Sequence, residues 1–388
     1  MALVFNSLLL DACFAALSLL AALYVYLSRN SGYWERRGVC CARPTPFLGS
    51  IPGVLLLRES VGCWLARRHR ETAGESFFGA YFVDRPVLVV RDLELVKSVL
   101  VRDAHAFLDR TFAASEDLDP LMAKNLFGLK GNKWRHLRAK LSPTFTSGRM
   151  KKMFYLVDEC GKQLASCLQQ SASSELKDDD FVAQAFVFLV AGFEGSSLTL
   201  TYALYELALN PGIQEKLRNE ITTKLSTHGG KLSYHAMTGL PYLEMVVSET
   251  LRKYPPATFL DRECLSDFII PGTQLTIETG TQIMIPVLGI HFDPEIYSEP
   301  QKFDPERFSD ENKNKIPQYA YLPFGEGPRF CIGKRFALMQ VKTALAYVVS
   351  SFQVCACAET PSPPLQYKPD APTHSPTEDI VLVFRKLE

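Results

Sequence analysis

A mainly helical chain with small β-sheets, tethered by one N-terminal membrane helix, is the fold class this sequence predicts. Three patterns lead there. Leu3 to Leu27 is an almost unbroken apolar run, and Asp180 to Leu209 is apolar nearly all round at helical length. Short β-rich segments occur in Ser76–Val90, divided by Asp84-Arg85, and in Phe268–Val287, divided by Gly272 and Gly280. The 388 residues carry 42 basic and 42 acidic side chains and are 47% hydrophobic. That is enough chain for a large domain, and zero net charge offers a nucleic acid no electrostatic footprint. The 10 cysteines are scattered without a Cys-x-x-Cys pair. They are unlike a disulfide framework or a zinc site and fit reduced thiols facing a cytosol.

Residues 1–28 read as a signal-anchor helix. About 20 apolar residues span a bilayer, and an acid near the end of the run, Asp11, can reach the interface. No basic segment precedes the run, which argues against a cleaved signal peptide. Arg29, Arg36 and Arg37 follow at once, so the positive-inside rule puts the body of the chain in the cytosol. Residues 29–50 form a basic, proline-rich linker in which Pro44 and Pro46 fix φ and disfavour helix. Residues 51–388 form the remaining domain.

Within that domain, Phe77–Val83 and Pro86–Val90 about Asp84-Arg85 read as a hairpin, and Asp92 to Val101 as a helix capped by Asp92. Trp134-Arg-His-Leu-Arg138 falls in a basic helix that ends near Ser142-Pro143, with Trp134 and Arg138 on one face. Such a cluster is a solvated face unless an anion lies beside it, when guanidinium and indole N–H suit a carboxylate. A helix is expected around Met150–Leu168, then a polar loop from Ser171. The long helix contains Ala191-Gly-Phe-Glu-Gly-Ser-Ser197, two glycines and an acid in a buried element. Each glycine costs about 1 kcal/mol against alanine. The break is either a packing notch or a functional site. Leu240 to Tyr254 is the next helix, stopped by Pro255-Pro256, with Glu249 and Arg252 meeting on one face. Short strands follow at Phe268–Pro271, Gln274–Thr279 and Gln282–Val287. An irregular stretch then runs through Asp304–Phe308, and Ile380–Phe384 is expected to close the domain as a strand.

The stretch Phe324-Gly-Glu-Gly-Pro-Arg-Phe-Cys-Ile-Gly333 stands apart. Cys331 lies among three glycines, with Arg329 two residues before it and a helix-prone run after it. Glycines let the backbone approach a neighbour closely, and a following helix N-terminus favours thiolate. A flat apolar ligand could lie on such a loop with the sulfur at its centre, as an axial thiolate on haem iron requires. A buried structural cysteine in a turn accounts for Cys331 equally well when it is taken alone.

In order, Ala191-Gly192-x-Glu194, Glu249-x-x-Arg252, Pro305-Glu-Arg-Phe308 and the Cys331 loop resemble the cytochrome P-450 superfamily of haem-thiolate monooxygenases. Arg262-Glu-Cys264 and Asp304–Phe308 resemble its microsomal branch, with insect detoxifying and vertebrate drug-metabolising members. The resemblance runs from the anchor to the C-terminus. It implies the fold of that family and haem b, iron protoporphyrin IX, with Cys331 as the axial ligand. It further implies Trp134, Arg138, Arg262 and Arg329 on the haem propionates, and a network of Glu249, Arg252 and Arg307 under the loop. Glu194 would serve the distal side. There the family usually has threonine as the next residue, and this chain has Gly195, followed by Ser196 and Ser197; water or Ser196 could stand in for the missing hydroxyl. Members also have several more helices before the long one. The stretch from Arg138 to Asp180 is too short for that many at roughly 10–14 residues each, so the chain reads as shortened between about 145 and 180. Part of the roof over the substrate would then be missing.

The implied function is insertion of one oxygen atom of O2 into an apolar small molecule such as a xenobiotic, steroid or other lipid. Electrons would come from NADPH through a flavoprotein reductase, with cytochrome b5 as a further partner, at the endoplasmic reticulum membrane. Lys133, Arg135, Lys334, Arg335 and Lys342 offer a basic landing face. The alternatives are a haem-thiolate isomerase or peroxygenase, which the Gly195 departure fits, and a non-catalytic haem-binding isoform, which the shortening fits. No nucleotide-binding fingerprint is present.

Overall fold

A computed structural model describes residues 8–111, 123–151, 154–155, 179–227 and 239–387. The first helix, α1, runs over Leu8–Ser28. Its span Leu9–Ser28 has a hydropathy of 1.9 and no side chain buried against the domain, and it is long and apolar enough to cross a membrane. Its C-terminal end is fastened to the domain. Arg29 pairs with Asp84 at 2.6 Å, and the rings of Tyr24 and Phe47 lie 5.8 Å apart.

Helix α2, Val61–Glu71, starts at Ser60, whose hydroxyl accepts from the Cys63 N–H. The expected hairpin follows as β1, Phe77–Phe82, and β2, Arg85–Val90, in antiparallel register from Phe77↔Val90 to Phe82↔Arg85. Helix α3, Leu93–Lys97, is capped by Asp92, whose carboxylate accepts from the Leu95 N–H at 2.8 Å. It opens into a π-helical turn over Ser98–Arg102, a wide turn that displaces carbonyls from the regular ladder. Helix α4, Gly131–Leu141, ends at Ser142-Pro143 as the sequence predicts.

The long helix α5 spans Asp179–Leu209. Asn210-Pro211 stops it, but Pro211 also opens a helix that the sequence reading did not assign, α6, Pro211–Thr227. Proline is at home in a first turn, where its missing N–H costs nothing. Helix α7, Pro241–Lys253, matches expectation. Strand β3, Leu260–Glu263, was not expected, because Leu-Asp-Arg-Glu has no β-pattern; its conformation comes from its pairing partner. Two of the expected strands shrink to the short pair β4, Phe268–Ile269, and β5, Thr276–Ile277. Strand β6, Gln282–Ile285, gives way to a short helix α8, Val287–His291. Helix α9, Lys334–Ser351, follows the cysteine loop. Strands β7, Phe352–Cys355, and β8, Val383–Lys386, pair at the end, β8 lying further on than Ile380–Phe384. The expected helix at Met150–Leu168 and the loop from Ser171 lie largely outside the described residues.

The main sheet has the order β1-β2-β6-β3, with β2 parallel to β6. Two cores meet at the site. One lies among α5, α6, α7 and α9, through Leu207, Leu217, Val247 and Leu345. The other joins the sheet to the α3 segment through Leu88, Leu100, Ile283 and Leu322.

Candidate functional site

The cysteine loop is built on backbone contacts that admit no side chain. Gly327 has φ +73, and an added Cβ would lie 1.7 Å from the Leu100 carbonyl oxygen in the π-turn. Gly325 also takes positive φ, and the Cys331 N–H donates to the Phe324 carbonyl at 2.8 Å. The loop therefore docks on Ser98–Arg102 and delivers Cys331 just before α9. Burial pushes the Cys331 thiol up. The N–H groups of Gly333 and Lys334 and the guanidiniums of Arg138 and Arg110 oppose that push without overcoming it. The helix terminus is thus aimed as the sequence predicts, but burial outweighs it; a bound cation would reverse the balance.

Beside Cys331 the structure gathers the arginines the sequence singles out. Arg329 is buried, and its Nε donates to the Leu108 carbonyl at 2.9 Å. Its Nη2 donates to Asp109 Oδ1 at 2.9 Å and to the Leu129 carbonyl at 2.8 Å, and its plane lies 3.9 Å from the Trp134 ring. Its Nη1 is buried and has no partner among the described residues. Arg262 is carried in by β3, and Arg138, on α4, lies 4.7 Å over the Phe330 ring. Sequence reading missed Arg110, which stacks 3.7 Å over Phe127 and acts electrostatically on Cys331, Arg138, Arg262 and Arg329. No motif surrounds it; only its closeness in the fold reveals it. Burial and mutual repulsion push Arg262 down to about 9 and Arg329 down to about 10.

Of these guanidiniums, Arg110, Arg262 and Arg329 crowd against two carboxylates, Asp109 and Asp261. Asp261 also accepts from the Thr111 N–H. Positive charge brought together at such a desolvation cost calls for anions. An unpartnered N–H at Arg329, a neighbouring thiol and an adjacent indole fit a flat ligand with two carboxylates at its edge and a metal at its centre.

Glu249, Arg252 and Arg307 also come together. Arg252 donates to Glu249 from Nε at 2.7 Å and from Nη2 at 2.9 Å, with both side chains fully buried. Arg307 Nε lies 3.4 Å from Glu249, which also accepts from the Asp304 N–H. Arg252 Nη1 donates to the His291 carbonyl and Nη2 to the Pro300 carbonyl, tying α7 to the irregular stretch before the loop.

Helix α5 packs against α9, and its Ala191 and Phe193 are exposed. A Cβ at Gly192 or Gly195 would meet nothing within 4 Å, so both glycines border open space rather than a packed neighbour. Ser196 is turned away from Glu194: its hydroxyl donates to Gln340 of α9 at 3.2 Å. Of the basic residues that the sequence singles out as a landing face, Lys133, Arg135, Lys334 and Arg335 are exposed. Lys342 is not free in that sense; it pairs with Glu244, and burial pushes it down to about 8.

The family model for cytochrome P450 matches residues 41–175 and 164–382. Cytochrome P450 6j1 of Blattella germanica is 37% identical over 475 residues, covering 92% of this chain and 94% of its own. Cytochrome P450 6k1 of the same organism is 34% identical over 513 residues, covering 97% of each. Cytochrome P450 6a2 of Drosophila melanogaster is 32% identical over 481 residues, covering 91% of this chain and 94% of its own. All three alignments are longer than the 388-residue chain, so the relatives carry residues within the matched span that have no counterpart here.

Proposed function

The chain belongs to the cytochrome P450 family, and from that premise we propose that Cys331 is the axial thiolate of its haem and that its substrates are apolar small molecules. It is a monooxygenase of the kind found among insect relatives, and membership implies a haem-thiolate centre. The observation that carries the site assignment is the buried Arg329 Nη1, two residues before Cys331 in the chain and without a partner among the described residues. Arg110, Arg138, Arg262 and Arg329, with the Trp134 indole, would hold the two propionates. Bound there, haem supplies the oxygen-activating chemistry, and a thiolate ligand favours O–O cleavage. In this reading the chain's own residues would hold the edge of the ligand and present the Cys331 sulfur, and Glu194 would stand on the distal helix.

Electrons from NADPH would arrive through a flavoprotein reductase at the cysteine-loop face, where Lys133, Arg135, Lys334 and Arg335 lie exposed. Cytochrome b5 would use the same face. Steering of that kind weakens with salt. The apolar α1, followed by Arg29, Arg36 and Arg37, supports anchoring in the endoplasmic reticulum membrane with the domain in the cytosol. The two-piece family match, meeting at residues 164–175, supports a missing stretch just ahead of α5. That stretch would belong to the roof of the substrate site, and its loss favours a second reading, an isoform that binds haem without turnover. Product formation by the purified chain with reductase and NADPH supports the first reading. A haem-loaded chain that neither consumes NADPH nor oxygenates apolar compounds supports the second.

A further inference from the structure

Residue 195 carries no side chain, and Ser196, Ser197 and Thr199 after it are engaged elsewhere. Ser196 donates to Gln340. Ser197 donates to the Glu194 carbonyl at 3.0 Å, and Thr199 to the Gly195 carbonyl at 2.7 Å. None of these α5 hydroxyls touches the Glu194 carboxylate. The hydroxyl that does comes from the C-terminal part of the chain: Thr373 Oγ1 donates to Glu194 Oε1 at 2.5 Å. Thr373 Oγ1 in turn lies 2.9 Å from Ser375 Oγ. We propose that Thr373, backed by Ser375, is the positioning residue of Glu194 and supplies in trans the hydroxyl that position 195 lacks. The proposal rests on the reading of Glu194 as the distal acid.

The loop that delivers Thr373 is held firmly enough for this role. Ser375 N–H donates to the Thr373 carbonyl at 2.8 Å, and Lys368 N–H to the Ser375 carbonyl at 2.9 Å. His374 N–H donates to the Pro256 carbonyl. The buried His374 ring lies 3.7 Å from the Tyr367 ring. Most directly, the Tyr202 hydroxyl donates to the His374 carbonyl at 2.5 Å. Tyr202 stands two turns along α5 from Glu194, so one helix sets the position of both the acid and the loop that touches it. Tyr202 is itself fixed by stacking on Tyr254 at 4.2 Å.

The chemistry needs no redox partner. A hydroxyl can donate one proton and accept another. As Glu194 gives up a proton on the distal side, Thr373 passes its hydroxyl proton to the carboxylate and takes one from Ser375. Ser375 is half-exposed and recovers its proton from water. The helix interior thereby keeps its glycines while the acid keeps a hydroxyl partner.

The test uses the full haem-loaded chain with Thr373→Val, Thr373→Ser and Ser375→Ala. Thr373→Val is expected to raise peroxide released per product formed by about tenfold, a tenth of what losing a general acid itself costs. Thr373→Ser should restore the ratio, and Ser375→Ala should raise it less. Independently of activity, the melting temperatures of Glu194→Gln, Thr373→Val and the double variant should be non-additive, because the second change has no contact left to remove. An unchanged peroxide ratio in Thr373→Val, or additive melting shifts, overturns the proposal. If Glu194→Gln itself leaves the ratio unchanged while the melting shifts still couple, the reading of Glu194 fails instead.

Discussion

Arg329 and Gly195 illustrate what single residues decide here. Arg329 engages Nε and Nη2 with Leu108, Asp109 and Leu129 and keeps Nη1 buried without a partner among the described residues. An unmet buried donor costs about 1–3 kcal/mol, so its natural remedy is a ligand. Gly195 is the opposite case, a position where something is missing rather than unmet. A Cβ there meets open space, so a side chain fits. Gly195→Ala should therefore stabilise the chain by up to about 1 kcal/mol, seen as a raised urea midpoint. Gly195→Thr should in addition rescue Thr373→Val, returning product formed per NADPH consumed toward the parent value, because it puts a hydroxyl within α5. No change in that ratio would mean that a hydroxyl there does not serve proton delivery.

At the scale of elements, the site depends on a loop seated on a distorted helix. The π-turn Ser98–Arg102 brings the Leu100 carbonyl to where Gly327 must lack a side chain. Gly327→Ala should cost more than about 4 kcal/mol and yield little soluble holoprotein. By contrast, Gly333→Ala, whose nearest neighbour is Cys331 Sγ at 4.0 Å, should be retained. Recovery of haem-loaded protein after expression checks both. The α8 helix adds a pH dependence. His291 is fully buried, its Nδ1 lies 3.0 Å from the Arg252 carbonyl, and its Nε2 accepts from the Leu322 N–H. Burial, aided by the Arg252 charge, pushes it from 6.5 down to about 3. The neutral form is the one that fits, so its contribution is full above 6.5 and is lost as pH falls toward 3. Stability should drop by roughly 1.4 kcal/mol per pH unit below 6.5 from this group. Buried His374, pushed down to about 3 by burial, adds a loss of the same sign. Urea midpoints between pH 7 and pH 5 measure this, and His291→Gln should flatten the slope.

For the whole molecule, the parts of the fold that were legible in the sequence are those with local causes. The apolar run of α1, the Asp92 cap, the hairpin turn and the prolines after α7 all declare themselves within a few residues. Strand β3 and helix α6 did not, because pairing and a first-turn proline, rather than pattern, make them. The same division runs through the site. Cys331, Trp134, Arg138, Arg262 and Arg329 sit in motifs, whereas Arg110 and Thr373 take part only because the fold carries them there. The proximal side is thus assembled from described elements. The relatives carry residues within the matched span that have no counterpart here. The central claim, Cys331 thiolate on haem iron, meets its most direct test in the carbon-monoxide difference spectrum of the reduced full-length chain. A strongly red-shifted Soret band that Cys331→Ser abolishes is the expected result. A haem-loaded chain without that band, or one that keeps it after Cys331→Ser, would contradict the account.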